Sequence, residues 1–174
     1  MIEIPRLDTQ RLLLRELRAD DIDSYAAMMA HPEVTRYLGD GKPLDREGAW
    51  RQMAMFAGHW VLRGFGVWAV EERGTGAFIG RIGCMEPEGY PAFEVAYTLA
   101  RPFWGRGYAR EGAAAALHYA RTVLRRDPVY SIIRPDNAGS IRVAESLGAA
   151  PDRMVSFFGA PARLYRYPTV RARV

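Results

Sequence analysis

The run Trp104-Gly105-Arg106-Gly107-Tyr108-Ala109-Arg110 combines residue types that suit the holding of an anion. Two glycines let a backbone approach a ligand closely, and the unpaired N–H groups of a first helical turn point outward. The helix dipole adds a preference for negative charge, and the guanidinium of Arg106 or Arg110 can reinforce it. A plain tight turn would use the glycines for geometry alone. Here, however, an alternating segment ends at Leu99 and an Ala-rich helical segment opens at Tyr108, a placement that favours a phosphate cradle. The run is neither a dinucleotide fingerprint nor a Walker loop, because no Gly-x-Gly-x-x-Gly follows the first strand and no Gly-Lys-Ser/Thr occurs.

Other reactive types offer less. His31, His59 and His118 stand far apart without metal-ligand spacing, so no metal site is expected. Cys84 is the only cysteine, which excludes an internal disulfide and suits a reducing cytosol. Inside Ile82-Gly83-Cys84-Met85 it reads as a small core residue and not as a nucleophile. No Ser-His-Asp or Cys-His arrangement is suggested.

The elements that must position the cradle follow from periodicity. Residues 11–17 alternate as a first strand, with Leu12 and Leu14 on one face and Arg11, Leu13 and Arg15 on the other. Asp20 or Asp21 can cap a helix that ends before Pro32, and Asp45 a second one stopped by Gly64 and Gly66. Val67–Glu71 and Ala77–Met85 read as strands joined through Arg73-Gly74-Thr75-Gly76. A fourth strand, Phe93–Leu99, sends Phe93, Val95, Tyr97 and Leu99 one way and Glu94, Ala96 and Thr98 the other. A helix over 108–124, a fifth strand over 129–134 and a short helix over 138–147 closed by Gly148 come next. Two last strands, 153–158 and 163–170, flank a loop at Gly159-Ala160-Pro161-Ala162. This order predicts an α/β fold: a mixed sheet with one parallel pair around the third helix.

At 174 residues, with no repeat or linker, the chain fits one domain spanning 1–174 and large enough for a core without metals. No apolar run approaches the roughly 20 residues of a membrane span, and Met1-Ile2-Glu3-Ile4-Pro5-Arg6 lacks the marks of a signal peptide. A cytoplasmic location is therefore expected. The net charge is +4, and Lys42 is the only lysine among 24 basic residues. The arginines are scattered, which argues against nucleic acid and gives only weak support for an anionic ligand.

These pieces together resemble the Gcn5-related N-acetyltransferase (GNAT) superfamily, in its ribosomal-protein alanine acetyltransferase-like branch. Gly107 and Ala109 fill the last two fixed places of the family pattern Gln/Arg-x-x-Gly-x-Gly/Ala, with Trp104 in the first. Thr9-Gln10-Arg11-Leu12-Leu13-Leu14-Arg15, Glu94-Val95-Ala96-Tyr97-Thr98-Leu99 and Asn137-Ala138-Gly139-Ser140 followed by Gly148 extend the match along nearly the whole chain.

The resemblance implies a mostly antiparallel sheet splayed between the fourth and fifth strands, where the pantetheine arm of acetyl-CoA, the co-substrate, inserts. Main-chain groups of Val95, Tyr97 and Leu99 would pair with the arm, residues 105–110 would hold the pyrophosphate, and Asn137 would contact the pantetheine or cap its helix. Direct transfer to a primary amine needs a base and a proton donor for the thiolate. Glu94 is the candidate base. Many relatives use a Tyr seven residues after the Asn as the acid; Ala144 occupies that place, leaving Ser140 as candidate. The acceptor, a protein N-terminus or a small amine, would lie between residues 31–46, with Tyr37, Asp40, Lys42 and Asp45, and 157–164, with Phe157, Phe158 and Arg163. A homodimer is one expectation for such an enzyme. A non-catalytic acyl-CoA-binding regulatory domain is the alternative that the absent Tyr leaves open.

Overall fold

The computed structural model describes residues 3–169. Eight strands form one sheet in the order β1-β2-β3-β4-β5-β6-β8-β7. They are β1 Leu7–Asp8, β2 Leu12–Arg15, β3 Val67–Glu72, β4 Ala77–Met85, β5 Glu94–Leu99, β6 Tyr130–Ile133, β7 Ala150–Phe157 and β8 Ala160–Arg166. The helices are α1 Ile22–Met29, α2 Pro32–Thr35, α3 Arg46–Arg63, α4 Tyr108–Thr122 and α5 Ala138–Ser146. All sheet pairings are antiparallel except β5 with β6.

Both faces of the sheet are covered, which is why its central strands are apolar on both sides. Leu12, Leu14, Ile82, Cys84, Val95 and Leu99 pack with Ala113, Ala116 and Leu117 of α4. Val67 and Met85 meet Tyr25, Met28, Met29, Met53 and Phe56 of α1 and α3 on the opposite face. The predicted alternation in β5 therefore divides the strand between two cores, with Ala96 packed on the α1–α3 side. Asp45 caps α3 by accepting from the N–H of Gly48 at 2.7 Å. Burial drives the Cys84 thiol up to about 12, as befits a core residue.

Several expectations need correction. The strand expected over 11–17 is shorter, β2 at Leu12–Arg15, and pairs with an unforeseen β1; Arg15 is buried between Asp21 and Glu71, each 2.8 Å away. Asp21 consequently makes no side-chain cap to α1, because its oxygens accept from Arg15 and from the N–H of Arg18. The first helix does end before Pro32, at Met29, and Pro32 opens the unforeseen α2, where its fixed φ suits the first turn. The last two strands form a tighter hairpin, turning at Phe158-Gly159 with φ of 50° and 72° and not over 159–162. Val170, the expected end of the last strand, lies outside the described residues, as do Met1 and Ile2.

Candidate active site

The parallel pair β5–β6 meets at one register point only, Glu94 opposite Tyr130. Beyond it the strands diverge. The N–H of Tyr130 donates to the Phe93 carbonyl at 3.1 Å, and the Ser131 hydroxyl donates to the Val95 carbonyl at 2.6 Å. Backbone groups of odd-numbered residues thus point at β6, and by the period of two those of Tyr97 and Leu99 face the gap. The gap widens into a cleft of about 570 Å³ lined by Tyr97, Thr98 and Leu99, by residues 103–105 and 107–110, and by Asn137 and Ser140 at the start of α5.

At its far end, Gly105 and Gly107 adopt left-handed φ of 74° and 82°, conformations that favour glycine. Gly107 is the N-cap of α4 and contributes no side-chain cap, so the first-turn N–H groups have no side-chain oxygen to satisfy them. A Cβ at Gly105 would meet nothing within 4 Å, so the cradle is open on that side. These donors, with the helix dipole behind them, fit a pyrophosphate.

The cradle is braced from the turn between β1 and β2. Thr9 Oγ1, the Arg11 N–H and Arg11 Nε each donate to the Glu111 carboxylate at 2.7 Å, and Arg11 Nη1 donates to the Arg106 carbonyl at 2.9 Å. Burial pushes the Glu111 carboxyl up, but the Thr9 and Arg11 donors outweigh it and hold the pKa below its ordinary range. Tyr108 bonds Glu72 through its hydroxyl and lies under the Arg11 guanidinium. The Thr-Gln-Arg motif therefore fixes the first turn of α4.

The structure assigns the expected site residues unevenly. Trp104 lines the cleft and donates its indole N–H to the Leu99 carbonyl at 2.7 Å, while Ser131 takes the Val95 carbonyl. Those two carbonyls are thus already engaged, which leaves Tyr97 as the residue whose main chain is best placed for an added amide. Asn137 lines the cleft and caps α5 through Oδ1, accepting from the Ser140 N–H at 3.2 Å, which leaves its amide nitrogen uninvolved in the cap. Glu94, Val95 and Arg106 do not line the cleft; the Arg106 guanidinium lies over Phe103 and Tyr108 instead.

Glu94 is 6% exposed, at the closed end of the gap, and accepts from the Ile132 N–H at 3.1 Å. Burial raises its pKa to about 7 against the opposing pull of that N–H and of Arg81. That value suits a base working near neutrality. The Tyr97 hydroxyl donates to the Ser140 carbonyl at 2.8 Å, which ties β5 to α5. Ser131 also shares a hydrogen bond of 2.9 Å with the Tyr167 hydroxyl at the apex. Nothing in the local pattern marks Ser131 or Tyr167, because their meeting depends on β8 pairing with β6.

A second hollow of about 360 Å³ gathers Tyr37, Asp40 and Phe158, three of the expected acceptor-side residues, with Arg36 and Arg134. Arg134 Nη2 donates to the Gly39 carbonyl at 3.0 Å and so ties the 36–41 segment to β6. The remaining acceptor expectations fare differently. Asp45 is spent on its cap, Lys42 is exposed 3.9 Å from Asp40, and Arg163 lies on the hairpin's outer face against Met154. Among the described residues no group of His, Cys, Asp or Glu could hold a metal ion, and no helix is long and apolar enough to cross a membrane. His59 is a satisfied core residue: Nδ1 lies 2.6 Å from the Phe65 carbonyl, and Nε2 accepts from the Glu86 N–H at 3.2 Å.

Residues 11–150 match the family model of the acetyltransferase (GNAT) domain, which covers most of the chain. The chain belongs to the GNAT acetyltransferase family. The uncharacterized protein YkkB of Bacillus subtilis (strain 168) is 30% identical over 168 residues, covering 92% of this chain and 94% of the relative. The uncharacterized N-acetyltransferase YoaA of the same organism is 28% identical over 83% of this chain and 82% of its own. An acetyltransferase structure from Agrobacterium tumefaciens str. C58 superposes with a TM-score of 0.85 at 32% identity, covering 97% of each chain. A ribosomal-protein-S5-alanine acetyltransferase from Vibrio fischeri, at 15% identity and a TM-score of 0.71, shares the fold, covering 94% of this chain and 96% of its own. As a GNAT enzyme this chain is an acyltransferase, and acetyl-CoA is the usual co-substrate of the family. The divergence of β5 from β6 is the GNAT sheet splay expected from the sequence.

Proposed function

We propose that this enzyme transfers an acetyl group from acetyl-CoA to a primary amine by direct attack. The observation that supports it most is the gap between β5 and β6, which opens beyond the Glu94–Tyr130 register pair and runs past Tyr97 to the Gly105–Gly107 cradle. Acetyl-CoA supplies the activated acyl thioester. Tyr97 would orient the pantetheine arm through its main chain, Asn137 through its free amide nitrogen, and the N–H groups around Gly107 would hold the pyrophosphate. Glu94 takes the proton from the attacking amine, directly or through a water, and its raised pKa lets it return that proton to solvent. Ser140, on the cleft wall, would relay a proton to the departing sulfur, its hydroxyl giving one proton and taking another from water, since Ala144 offers none.

The acceptor would approach from the side of Tyr37 and Phe158, and a protein N-terminus or a small amine fits that side. Thiol release from acetyl-CoA across a panel of amines tests the reading. Turnover is expected, and Glu94→Gln should lower kcat/KM at pH 7 by about 100-fold or more while the variant still binds acetyl-CoA. Rates indifferent to that substitution would remove Glu94 from the role of base.

A further inference from the structure

A surface helix of a globular protein shows apolar residues on the side that meets the core and polar ones on the other. α3 is apolar on both. Its inner side sends Ala49, Met53, Phe56 and Trp60 into the core. Its outer side carries Trp50, Ala54, Ala57 and Val61 at the spacing of one helix face, with Met55, Gly58 and Leu62 in the row beside them. No Asp, Glu, Lys or Arg occurs from Gln52 to Leu62. Among the described residues eight large apolar side chains are exposed, and Trp50, Met55, Val61 and Leu62 are four of them; Trp50 is 60% exposed and Leu62 84%. Single exposed hydrophobics are ordinary, but four on one helix make a patch.

Gly58 is a separate observation on the same face. Glycine within a helix is a poorer helix former than alanine. A Cβ at Gly58 would meet nothing within 4 Å, so no neighbour among the described residues requires its absence. Gly58 and Ala54 leave the middle of the outer face low, between Trp50 towards one end and Val61 and Leu62 towards the other. Small residues at such a crossing let a second helix come near the lower limit of interhelical distance, about 8 Å.

We propose that α3 packs antiparallel against α3 of a second copy of this chain, about a two-fold axis crossing its outer face at the level of Phe56. Trp50 and Leu62 lie six residues to either side of that level, roughly 9 Å along the helix. The axis therefore sets each Trp50 on the partner's Leu62. Ala54 and Gly58, two residues to either side, meet in the same way and let the backbones close. The patch thus complements itself, as a two-fold contact demands, and this selects a second copy as the occupant. The charged residues of the outer face, Glu47 and Arg51, pair with each other and fall at the rim, where Arg51 faces Val61 and no like charge. An apolar centre with a polar rim is the anatomy of an oligomer interface. The exposed apolar side chains supply on the order of 500 Å² per copy, so two copies bury about 1,000 Å², the lower bound for a specific contact. A dimer of micromolar dissociation constant is the expectation.

Sedimentation equilibrium of the full chain across micromolar concentrations tests this without reference to turnover. The mass should rise from the 19.6 kDa of one chain towards twice that value. Gly58→Leu fills the crossing and Leu62→Glu places a charge in the apolar centre, and each should weaken association by about 100-fold or more. Gly58 has open space beside it and Leu62 is exposed, so both variants should melt as single folded chains in circular dichroism. The register is read by cross-linking. Protein carrying Trp50→Cys, mixed with protein carrying Leu62→Cys, should be joined by a short bismaleimide, whereas either alone keeps its two sulfurs roughly 18 Å apart along the helix. Cys84 is buried and does not compete. A wild type that stays at the mass of one chain overturns the proposal, as does a dimer indifferent to both substitutions. Joining of either cysteine variant to itself and not to the other overturns the antiparallel register. A single chain that sediments with phosphatidylcholine–phosphatidylglycerol vesicles also overturns it and gives the face to a membrane surface.

Discussion

Burial holds the Glu94 carboxyl at about 7, against an ordinary value of 4.5, so the folded state prefers its protonated form. The resulting stabilisation is fully present below pH 4.5 and is lost as pH rises through 7. Over that window it amounts to about 3 kcal/mol. Glu94→Gln keeps an oxygen for the Ile132 N–H and removes the titration. Urea unfolding at pH 5 and pH 8 should therefore show the variant gaining on the wild type by up to about 3 kcal/mol at the higher pH; an equal difference at both pH values would contradict the burial cause. Asp21 has the opposite sign: burial pushes it up, but Arg15 and the Arg18 N–H outweigh burial and hold it low. Its contribution disappears only in acid, below the Glu94 window. At this scale the sequence located Glu94 by strand alternation but could not reveal its surroundings. Ile132 and Arg81 come from other strands, and neither lies near it in the chain.

Among the elements, the start of α4 depends on a contact that bridges about 100 residues. Glu111 gathers three donors from Thr9 and Arg11 in a half-buried setting. Glu111→Ala should cost about 2 kcal/mol by chemical denaturation, since charge-assisted bonds are lost with their donors left behind. The exposed Arg51–Glu47 pair on α3 provides the contrast, because Glu47→Ala should change stability by less than about 0.5 kcal/mol. The same Glu111 variant should weaken acetyl-CoA binding in calorimetry, as the brace on the cradle loosens. α3, α4, β3 and β4 were legible because their periods are long and their stops are glycines or capped. The β7–β8 hairpin was not, because Gly159-Ala160-Pro161 has the composition of a loop. Phe158 takes the turn at positive φ, which is rare for a bulky residue, with Tyr90 and Phe157 packed against its ring. Tertiary packing overrode local turn chemistry there.

The whole molecule presents one surface on which strand divergence, cradle and α5 converge, and a ligand spanning them couples elements that otherwise touch sparingly. β5 and β6 share a single register pair, so an occupant of the gap would add cross-links between the two halves of the sheet. The order β6-β8-β7 could not be foreseen, since β8 reaches β6 past α5 and β7, yet it is what places Tyr167 and Ser131 at the apex. Ligation should consequently stabilise the fold as a unit. At 100 times its Kd, acetyl-CoA should contribute about 2.7 kcal/mol by mass action, or a rise in Tm of roughly 5–10 °C for a chain of this size. Gly107→Glu should abolish the rise: a Cβ there meets Arg11 Nη2 at 3.3 Å, so the new side chain disturbs the brace of the cradle, from a backbone φ of 82° that non-glycine residues resist. Apo stability of that variant, measured in the same scan, separates lost binding from lost folding. A wild type whose Tm does not move with millimolar acetyl-CoA would mean that the cradle holds something else, because a folded chain with an intact Gly105–Gly107 turn has no other means of hiding an interaction of that size.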